Sequence, residues 1–491
     1  MAEIIRELML IDGKEVESVS GRWIQVENPS KRGEIFAEVP RSSEADVDMA
    51  VKAAAKAFES WRLLPVIERG AIILKVADAV EESLEELASI VANENGNAIR
   101  YTRGEVLSAV GKFRYYGGLG PEIKGTVYPG PNDAFLYMRR EPIGVVAAIT
   151  PWNSPLALAA AKIGPALLTG NTVVLKVPST APVGVMRMVK IANELLPPGV
   201  LNVITGAGSE AGITLAKHPL VQKITFTGST EVGKELMHCA ADRIIDTTME
   251  LGGKNPQIVF PDSDQDYVVT GVINTVRYNR MGQSCSSGAR IYVHRSIFDS
   301  FVERMVKQLK EFKLGNALDE STDIGPIVNK KQFDKVCSYI EAALREGHAK
   351  LVCGGLPPRE GPLSEGYFVE PTLFVCEDNN TVLAADEIFG PVAVAIPWDD
   401  EDEVLKMAND TPYGLVGYIW SHDTTKAMNF AHKLKAGSIL INYWGMPTEG
   451  HPYGGMKMSG IGREHCLEGI LENYTEIKAV TINMNYPPKN K

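Results

Sequence analysis

The chain of 491 residues is 45% hydrophobic and carries 50 Lys and Arg against 61 Asp and Glu, a net charge of -11. The length exceeds what one core organises and indicates roughly two to four domains, and the acidic balance argues against nucleic-acid binding, which depends on clustered cations. No apolar run is long enough to cross a bilayer and the N-terminus lacks a signal-peptide pattern, so we expect a cytoplasmic protein with a small-molecule partner and no membrane partner.

The N-terminal part of the chain is predicted to be helical after a short strand-like start. In residues 43–60, apolar side chains recur with the helical period and share one face, namely Val47, Ala50, Val51, Ala54 and Phe58. The segment from Ile67 to about Val91 repeats this period over a longer run. We therefore expect two helical segments before the first sheet.

From residue 143 onward the pattern changes to short β-branched runs separated by helical segments. The first group of predicted strands is IGVVAAIT, NTVVLKV, LNVIT and KITFT. A second group follows Gly253 and comprises PQIVF, ARIYVH, PVAVAI, LVGYIW and SILIN. This alternation predicts parallel sheets with crossover helices, so we expect an α/β protein with two Rossmann-like domains in tandem.

Two segments depart from this alternation. Residues 121–142 are rich in Pro and Gly and end in a strand-like stretch, and the tail TEIKAVTINM, which begins at residue 475, resembles a second such strand. We interpret the first segment as an excursion from the first α/β domain.

One cysteine has unusual neighbours. Residues 282–290 read GQSCSSGAR and enclose Cys285 between glycines and small hydroxyl residues. A structural cysteine is normally packed by bulky apolar side chains, whereas small neighbours allow backbone or ligand to approach the sulfur. The six cysteines include no C-x-x-C pair, so neither a zinc cluster nor a disulfide framework is indicated, and no metal is expected. Cys285 is therefore the candidate nucleophile.

Two strand ends are candidates for ligand binding, and one carboxylate is a candidate for proton transfer. In KITFTGSTEVGKEL a strand runs through Gly228 and Ser229 into a helix, whose free amides suit a pyrophosphate, although such a turn is often only a turn. Lys176 ends the strand NTVVLKV, where it either meets a ribose or phosphate or is simply solvated. Glu250, in MELGGKNP, either manages protons for a thiol or caps a helix or strand.

Six motifs together resemble the aldehyde dehydrogenase superfamily, in its hydrolytic NAD(P)-dependent branch. They occur in the order and approximate spacing of that superfamily and read PWNSPLALAAAKIGPALLTGNTVVLKVPSTAP, FTGSTEVGK, MELGGKNP, GQSC, EIFGPV and PYGGMKMSGIGRE. The resemblance covers nearly the whole chain. It implies oxidation of an aldehyde to a carboxylic acid with NAD and also with NADP.

The same resemblance implies a domain organisation. Residues 1–120 and 143–252 would form the NAD(P)-binding domain, and residues 253–454 the catalytic domain. Residues 121–142 and 470–491 would form a small β oligomerisation element, so we expect a dimer or a tetramer.

The resemblance implies a role for each catalytic candidate. Cys285 would attack the aldehyde to give a thiohemiacetal, whose hydride passes to the nicotinamide and leaves a thioester. Asn153, with the backbone amide of Cys285, would form the oxyanion hole. Glu250 would activate the hydrolytic water. Lys162 and Glu464 match a proton relay of the family, unless they are ordinary surface charges.

The implied cofactor site runs from the adenosine ribose to the nicotinamide and comprises Trp152, Lys176, Ser179, Gly228, Ser229, Leu251, Glu387 and Phe389. Lys176 would meet the adenosine ribose and Glu387 the nicotinamide ribose. Ser179 stands where NAD-preferring members often carry Glu, and a neutral side chain there does not repel the 2′-phosphate of NADP. Glu210, in GAGSEAG, could still repel that phosphate, and no arginine that would bind it is evident from the sequence.

The implied substrate pocket is lined by Ser154, Ala157, Ala161, Ser284, Ser286, Tyr443, Trp444 and Tyr453. Several of these side chains are smaller than those of acetaldehyde-type members, which indicates a roomy pocket with aromatic edges. Arg277 and Arg280 could bind a carboxylate and thus favour a semialdehyde, or they could be surface residues of a helix. The segment RYNRMGQSC reads one residue longer than the common family form, so the resemblance does not define the pocket wall there.

Two other functions stay open at this point. A CoA-acylating enzyme would transfer the acyl group to CoA instead of water, but that branch tends to lack the general base that Glu250 provides. A catalytically silent structural member would have no need to retain Cys285, Glu250 and Asn153 together. A fast reaction of the thiol with iodoacetamide would separate an active enzyme from a silent one.

Overall fold

The computed structural model describes residues 4–445 and 448–486. The remaining residues of the predicted segments 1–120, 253–454 and 470–491 lie outside the described residues. In the described part of the chain, every helix is too short or too polar to span a bilayer.

The described helices include long N-terminal ones and shorter ones that alternate with strands. In chain order they are α1 (Glu44–Trp61), α2 (Val66–Glu82), α3 (Leu84–Asn95), α4 (Ile99–Gly118), α5 (Pro155–Leu168), α6 (Val183–Asn193), α7 (Ile213–Lys217), α8 (Thr230–Ala241), α9 (Asp266–Val276), α10 (Phe298–Leu309), α11 (Lys330–Glu346), α12 (Val382–Ala385), α13 (Glu401–Asn409), α14 (Thr424–Lys433) and α15 (Leu467–Tyr474).

The described strands belong to two large and two small sheets. In chain order they are β1 (Ile5–Arg6), β2 (Met9–Ile11), β3 (Lys14–Val16), β4 (Trp23–Glu27), β5 (Ile35–Pro40), β6 (Thr126–Tyr128), β7 (Ala134–Pro142), β8 (Val145–Ile149), β9 (Thr172–Lys176), β10 (Leu201–Ile204), β11 (Val221–Thr227), β12 (Asp246–Glu250), β13 (Pro256–Val259), β14 (Arg290–His294), β15 (Lys350–Cys353), β16 (Thr372–Val375), β17 (Val392–Trp398), β18 (Val416–Trp420), β19 (Ser438–Ile441), β20 (Gly460–Ile461) and β21 (Thr475–Asn483).

The first large sheet has eight strands in the order β20-β12-β11-β8-β9-β10-β2-β3. Its central strands, β12, β11, β8, β9 and β10, are parallel. The register places Ile149 opposite Lys176 and Thr227 opposite Glu250, so the carboxyl ends of these strands meet at one edge. Helices cover both faces, which explains why strands such as β8 and β9 are buried throughout.

The second large sheet has seven strands in the order β15-β16-β17-β14-β13-β18-β19. All of its pairings are parallel except that of β15 with β16. Its apolar core is separate from that of the first sheet and includes Ile258, Tyr292 and Trp420. These two sheets confirm the predicted α/β fold with two Rossmann-like units in tandem.

Residues 121–142 and the tail from residue 475 depart from the alternation of strands and helices, and their strands pair with each other. β7 and β21 are antiparallel along their whole length, from Thr475 opposite Pro142 to Asn483 opposite Ala134. With β6 they form a three-stranded sheet apart from both large sheets.

The N-terminal helices differ in detail from the prediction. In α1 the buried stripe continues through Ala57 and Trp61, and Phe58 is only half-buried, because a stripe with the period of 3.6 residues drifts around the helix. The predicted run from Ile67 to Val91 is broken at Ser83 into α2 and α3. There the hydroxyl of Ser83 donates to the carbonyl of Ala79 at 3.1 Å, a local bond of the kind that competes with helix continuation.

Candidate active site

Cys285 lies in a tight turn between α9 and β14. The backbone enters this turn through positive φ angles at Arg277, Met281 and Gly282 of 62°, 52° and 61°. A Cβ atom at Gly282 would collide with the carbonyl oxygen of Gly390, so this position requires glycine for both its φ angle and its close approach. The glycine in GQSC is therefore required by the packing of the turn that precedes Cys285, and not only by access of a ligand to the thiol.

Hydrogen bonds fix the backbone around the thiol. Asn255 Nδ2 donates to the carbonyl of Cys285 at 2.7 Å, and Tyr418 Oη donates to the carbonyl of Ser286 at 2.7 Å. The sulfur lies 3.8 Å from the hydroxyl of Tyr453. Burial raises the pKa of the Cys285 thiol to about 11, and the Tyr453 contact acts in the opposite direction. The thiol is therefore protonated at neutral pH and needs a base before it can attack a carbonyl.

Glu250 ends β12 and lines the same cavity as Cys285. Both of its carboxylate oxygens are buried and accept no hydrogen bond from any described residue. Burial raises the pKa of Glu250 well above its usual range, and the charge of Glu464 raises it further, whereas Lys162 and Arg463 lower it. A carboxylate in this environment is a stronger base than one in water and is suited to accept a proton from a thiol or a water.

Asn153 follows β8 and is buried. Its Nδ2 donates to the carbonyl of Gln283 at 3.2 Å, which holds the amide beside the cysteine turn. The residue lines the cavity that contains Glu250 and also a second cavity on the other side of Cys285. Since an amide nitrogen has two N–H donors, the side chain is able to bind an oxyanion that forms next to the thiol.

Lys162 and Glu464 form a buried ion pair. Lys162 Nζ lies 2.8 Å from Glu464 Oε1, and their side chains are 0% and 3% exposed. Lys162 also donates to Thr225 Oγ1 at 3.2 Å. The alternative that these two residues are ordinary surface charges is therefore wrong.

The second cavity, of about 190 Å³, opens where the carboxyl ends of β8 and β11 face the other large sheet. It brings together most of the predicted cofactor residues: Trp152, Gly228, Ser229, Leu251, Glu387 and Phe389. Glu387 Oε1 accepts the backbone N–H of Gly253 at 2.9 Å, and a Cβ atom at Gly252 would collide with the same carboxylate. The rings of Trp152 and Phe389 meet edge to face with centroids 5.4 Å apart.

The other two predicted cofactor residues do not line this cavity. Lys176 is buried at the end of β9, and burial lowers its pKa to about 8. Ser179 lies three residues further and donates from Oγ to the carbonyl of Gly206 at 2.9 Å. Both belong to the same strand-end edge as the cavity, Lys176 as the last residue of β9 and Ser179 in the loop that follows.

A cation that the sequence did not reveal lies beside this edge. Arg41 pairs with Glu210, with Nε donating to Oε2 at 2.9 Å. Its neighbour Ser42 accepts the backbone N–H of Thr205 at 3.2 Å, which joins the Arg41 segment to the loop around residues 206–210. Glu210, which the sequence offered as a carboxylate that could repel a 2′-phosphate, is thus paired with an arginine, and the sequence did not reveal the pair because its partners are 169 positions apart.

Two further residues of the second cavity were not predicted. Gln332 Nε2 donates to the carbonyl of Phe389 at 2.8 Å, and Lys335 Nζ donates to the carbonyl of Glu387 at 3.0 Å. Both lie on α11 and line the cavity. The sequence does not distinguish these two residues from others, since polar residues of this type occur on the outer face of many helices.

The cavity on the Glu250 side has a volume of about 400 Å³. It contains most of the predicted pocket residues, namely Ser154, Ala157, Ser284, Ser286 and Tyr453. Ala161, Tyr443 and Trp444 are not among its lining residues. Tyr443 is 51% exposed, and the Trp444 ring stacks on Trp420 at 6.2 Å between centroids, so both aromatic side chains lie elsewhere.

Charged residues that the sequence did not predict also line this cavity. α4 contributes Arg100, Glu105 and Lys112, and residues before and after β20 contribute Glu449 and His465. The two arginines raised as carboxylate ligands, at positions 277 and 280, line it as well, between α9 and the cysteine turn. Nothing in the sequence marks the α4 residues as lining residues of the cavity, because their position there depends on where that helix packs.

Comparison with known proteins identifies the family and the fold. The family model described as the aldehyde dehydrogenase family matches residues 16–480. An aldehyde dehydrogenase of Agaricus bisporus is 40% identical over 483 residues, which cover 97% of this chain and 95% of that protein.

Solved structures agree with this match. The NAD+ complex of an aldehyde dehydrogenase from Bacillus cereus is 39% identical with a TM-score of 0.94, covering 98% of this chain and 97% of that one. Betaine aldehyde dehydrogenase from Staphylococcus aureus, also in complex with NAD+, is 36% identical with a TM-score of 0.94, covering 99% of this chain and 96% of that one. The chain therefore belongs to the aldehyde dehydrogenase family, whose members oxidise an aldehyde with a nicotinamide dinucleotide.

Proposed function

We propose that this enzyme oxidises aldehydes by covalent catalysis at Cys285 and releases the acid by hydrolysis. The observation that carries the proposal is the position of Cys285 and Asn153, which line both cavities and thus lie where the two meet. An aldehyde in the larger cavity would reach the sulfur from one side, and a nicotinamide in the smaller cavity would reach it from the other.

The proton transfers follow from the pKa directions. Glu250, raised in pKa by burial, accepts the proton of the Cys285 thiol, directly or through a water. The thiolate adds to the aldehyde carbon, and the oxygen becomes an oxyanion stabilised by Asn153 Nδ2 and the backbone N–H of Cys285. Such a donor typically contributes about 3 to 4 kcal/mol to transition-state stabilisation.

Collapse of the oxyanion expels a hydride and leaves a thioester on Cys285. A bound nicotinamide dinucleotide supplies the hydride acceptor in this reaction. After the first proton has left it, Glu250 takes a proton from a water, whose oxygen adds to the thioester carbonyl; the C–S bond then breaks, which regenerates the Cys285 thiolate and releases the carboxylic acid. Glu464 and Lys162 form the buried pair through which we propose that the proton passes outward.

The smaller cavity fits a dinucleotide. The Glu387 carboxylate offers acceptors for ribose hydroxyls, and Gly252 leaves space beside it. The backbone at Gly228 and Ser229 leads into the N-terminus of α8, where free amides suit a pyrophosphate. The relatives from Bacillus cereus and Staphylococcus aureus were solved with NAD+. These observations support NAD as the cofactor.

We propose that NADP is accepted as well. Ser179 is neutral and donates to the carbonyl of Gly206, and Arg41 neutralises the carboxylate of Glu210 beside that loop. A 2′-phosphate near Ser179 would therefore meet a hydroxyl, with an arginine close by, instead of an unpaired carboxylate. We also propose that Lys176, at the end of β9, binds the adenosine ribose.

The sheet of β6, β7 and β21 supports a homo-oligomer, either a dimer or a tetramer. It exposes large apolar side chains that a single copy leaves uncovered, namely Val127, Tyr128, Phe135, Ile477 and Ile482. We propose that residues 121–142 and 470–491 serve as the oligomerisation element, with 1–120 and 143–252 as the NAD(P)-binding domain and 253–454 as the catalytic domain. A cytoplasmic location remains our proposal from the sequence.

The site favours hydrolysis over the two alternatives. Glu250 lies in the cavity with Cys285, where a general base serves water and is not needed for transfer to CoA. Asn153 and the Lys162–Glu464 pair are also in place, which a silent structural member would not require.

Substitution of Cys285 by Ala tests the proposal. We expect aldehyde-dependent NADH formation to be abolished and NAD binding to be retained, because the variant loses the nucleophile and little volume. Cys239→Ala, at a buried cysteine of α8, is the matched control and should keep full activity. Substantial aldehyde oxidation by Cys285→Ala would overturn the covalent mechanism.

A further inference from the structure

We infer that the substrate of this enzyme is an aldehyde that carries a carboxylate at its other end, and that Arg280 is the residue that binds this carboxylate. The inference rests on the proposed function, since it places the aldehyde group of the same molecule at Cys285. It follows from how the cations that line the larger cavity are paired.

Arg280 is held at the cavity by a neutral partner. Its Nη1 donates to Ser154 Oγ at 2.6 Å. Ser154 follows Asn153, the proposed oxyanion donor, so this bond ties the guanidinium to the segment that would hold the reacting carbonyl. In the described part of the chain the other guanidinium N–H groups of Arg280 make no hydrogen bond, and both Arg280 and Ser154 line the cavity. These donors are therefore available to a ligand.

Other cations of the cavity already have carboxylate partners. Arg100 forms a salt bridge with Asp323, and Lys112 forms one with Glu449. Among the described residues Arg280 has no such salt bridge. Burial lowers its pKa, which shows that its charge is poorly solvated, although a guanidinium stays protonated.

The carboxylate whose charge acts on Arg280 is Glu105, and among the described residues it makes no hydrogen bond or salt bridge with Arg280. Glu105 Oε1 accepts the backbone N–H of Leu156 at 3.0 Å, and burial raises the pKa of Glu105 to about 7 although Arg280 opposes this shift. Near neutral pH this carboxyl is thus only partly ionised. A partly buried arginine with open N–H donors and an incompletely compensated charge attracts a carboxylate, which binds the planar fork with two parallel hydrogen bonds.

The wall around Arg280 suits the rest of such a substrate. Ala157 and Leu158 supply apolar surface for a short methylene chain, and Ser284 and Ser286 supply hydroxyls on either side of Cys285. A neutral aldehyde would leave the guanidinium donors to water. The enzyme is therefore expected to prefer short semialdehydes to aldehydes of the same length without the carboxylate.

The experiment compares kcat/KM for matched pairs: succinic semialdehyde with butanal, glutaric semialdehyde with pentanal and adipic semialdehyde with hexanal. In wild-type enzyme at least one semialdehyde should exceed its neutral partner about 10-fold or more. In Arg280→Met, kcat/KM for that semialdehyde should fall roughly 10- to 100-fold, mainly through KM, because one charge-assisted hydrogen-bonding partner is lost. The neutral aldehydes should change less than about 3-fold, the scale of effects within ordinary mutational scatter.

Two further variants make the test specific. Arg100→Met removes a cavity arginine that is already paired with Asp323 and should change the semialdehyde preference little. Arg280→Lys keeps a charge without the planar fork and should show an intermediate loss, which also covers the case in which the Met variant does not fold.

Each outcome bears on the inference. If wild-type enzyme oxidises the neutral partners as efficiently as the semialdehydes, or if Arg280→Lys and Arg280→Met lose activity equally on both classes, the inference is overturned while aldehyde oxidation at Cys285 stands. If Arg100→Met instead removes the preference, the assignment to Arg280 is overturned. Failure of the proposed covalent mechanism would appear separately, in Cys285→Ala.

Discussion

Replacing Glu464 by Gln should shift the pH dependence of aldehyde oxidation towards acid. Glu464 is a buried anion whose charge raises the pKa of Glu250, and Lys162 opposes it. Gln keeps an oxygen that accepts the Lys162 hydrogen bond but removes the negative charge. The pKa of Glu250 should then fall, so that a larger fraction of the base is ionised at a given pH.

The size of the shift can be bounded from electrostatics. A unit charge within several ångströms of a buried carboxylate interacts with it by on the order of 1 kcal/mol or more at an effective dielectric constant near 20. Since about 1.4 kcal/mol corresponds to one pKa unit, the midpoint of the pH profile should move towards acid by an amount that the assay resolves. The sign follows from the mechanism: ionised Glu250 is the active form, so the rate rises with pH through its pKa, and in the variant it rises at lower pH.

The assay is the pH profile of kcat at saturating aldehyde and NAD, read from NADH absorbance. Glu449→Gln is the matched control, because Glu449 lines the same cavity and is likewise paired with a lysine, Lys112, but its charge is not among the causes of the raised pKa of Glu250. Its midpoint should stay within a few tenths of a unit of wild type. A Glu464→Gln profile with an unchanged midpoint would refute the coupling to Glu250, and a lower plateau with the same midpoint would indicate that the pair acts only in proton transfer.

Three other substitutions test the remaining roles. Glu250→Gln should slow both the burst of NADH and the steady rate, the latter roughly 100- to 10,000-fold, because the amide takes a proton from neither the thiol nor water; a burst at the wild-type rate would limit Glu250 to the hydrolytic step. Asn153→Ala should lower kcat roughly 100- to 1000-fold through loss of an oxyanion donor, measured by single-turnover hydride transfer, and unchanged transfer would remove that role. Ser179→Glu should raise KM for NADP about five-fold to several hundred-fold more than KM for NAD, since a carboxylate about 4 Å from a phosphate costs roughly 1 to 4 kcal/mol; equal effects on both cofactors would show that this side chain does not face the ribose.

The positions of the candidate binding residues at the ends of the strands were largely predictable from the sequence. β-branched runs such as NTVVLKV mark buried parallel strands, and the residues that follow them, Lys176 or Gly228 and Ser229, lie at the sheet edge where such strands end. Small residues around Cys285 indicated an approachable thiol. These signals are local in the sequence, because strand propensity and turn geometry depend on neighbouring residues.

Side-chain partnerships between distant segments were decided only by the tertiary structure. Glu210 is paired with Arg41, and Tyr453 reaches the Cys285 sulfur from a segment 168 positions away.

The same holds for the substrate cavity and for charge. Whether Arg280 is a surface residue or a cavity cation depends on the turn before the cysteine and on α4, which the helical pattern alone does not orient. Nor does the sequence show that burial raises the pKa of Glu250, since desolvation depends on what packs around a carboxylate. The sequence by itself determined which residues could react, and packing between distant segments determined which of them meet, how they are charged and what they face.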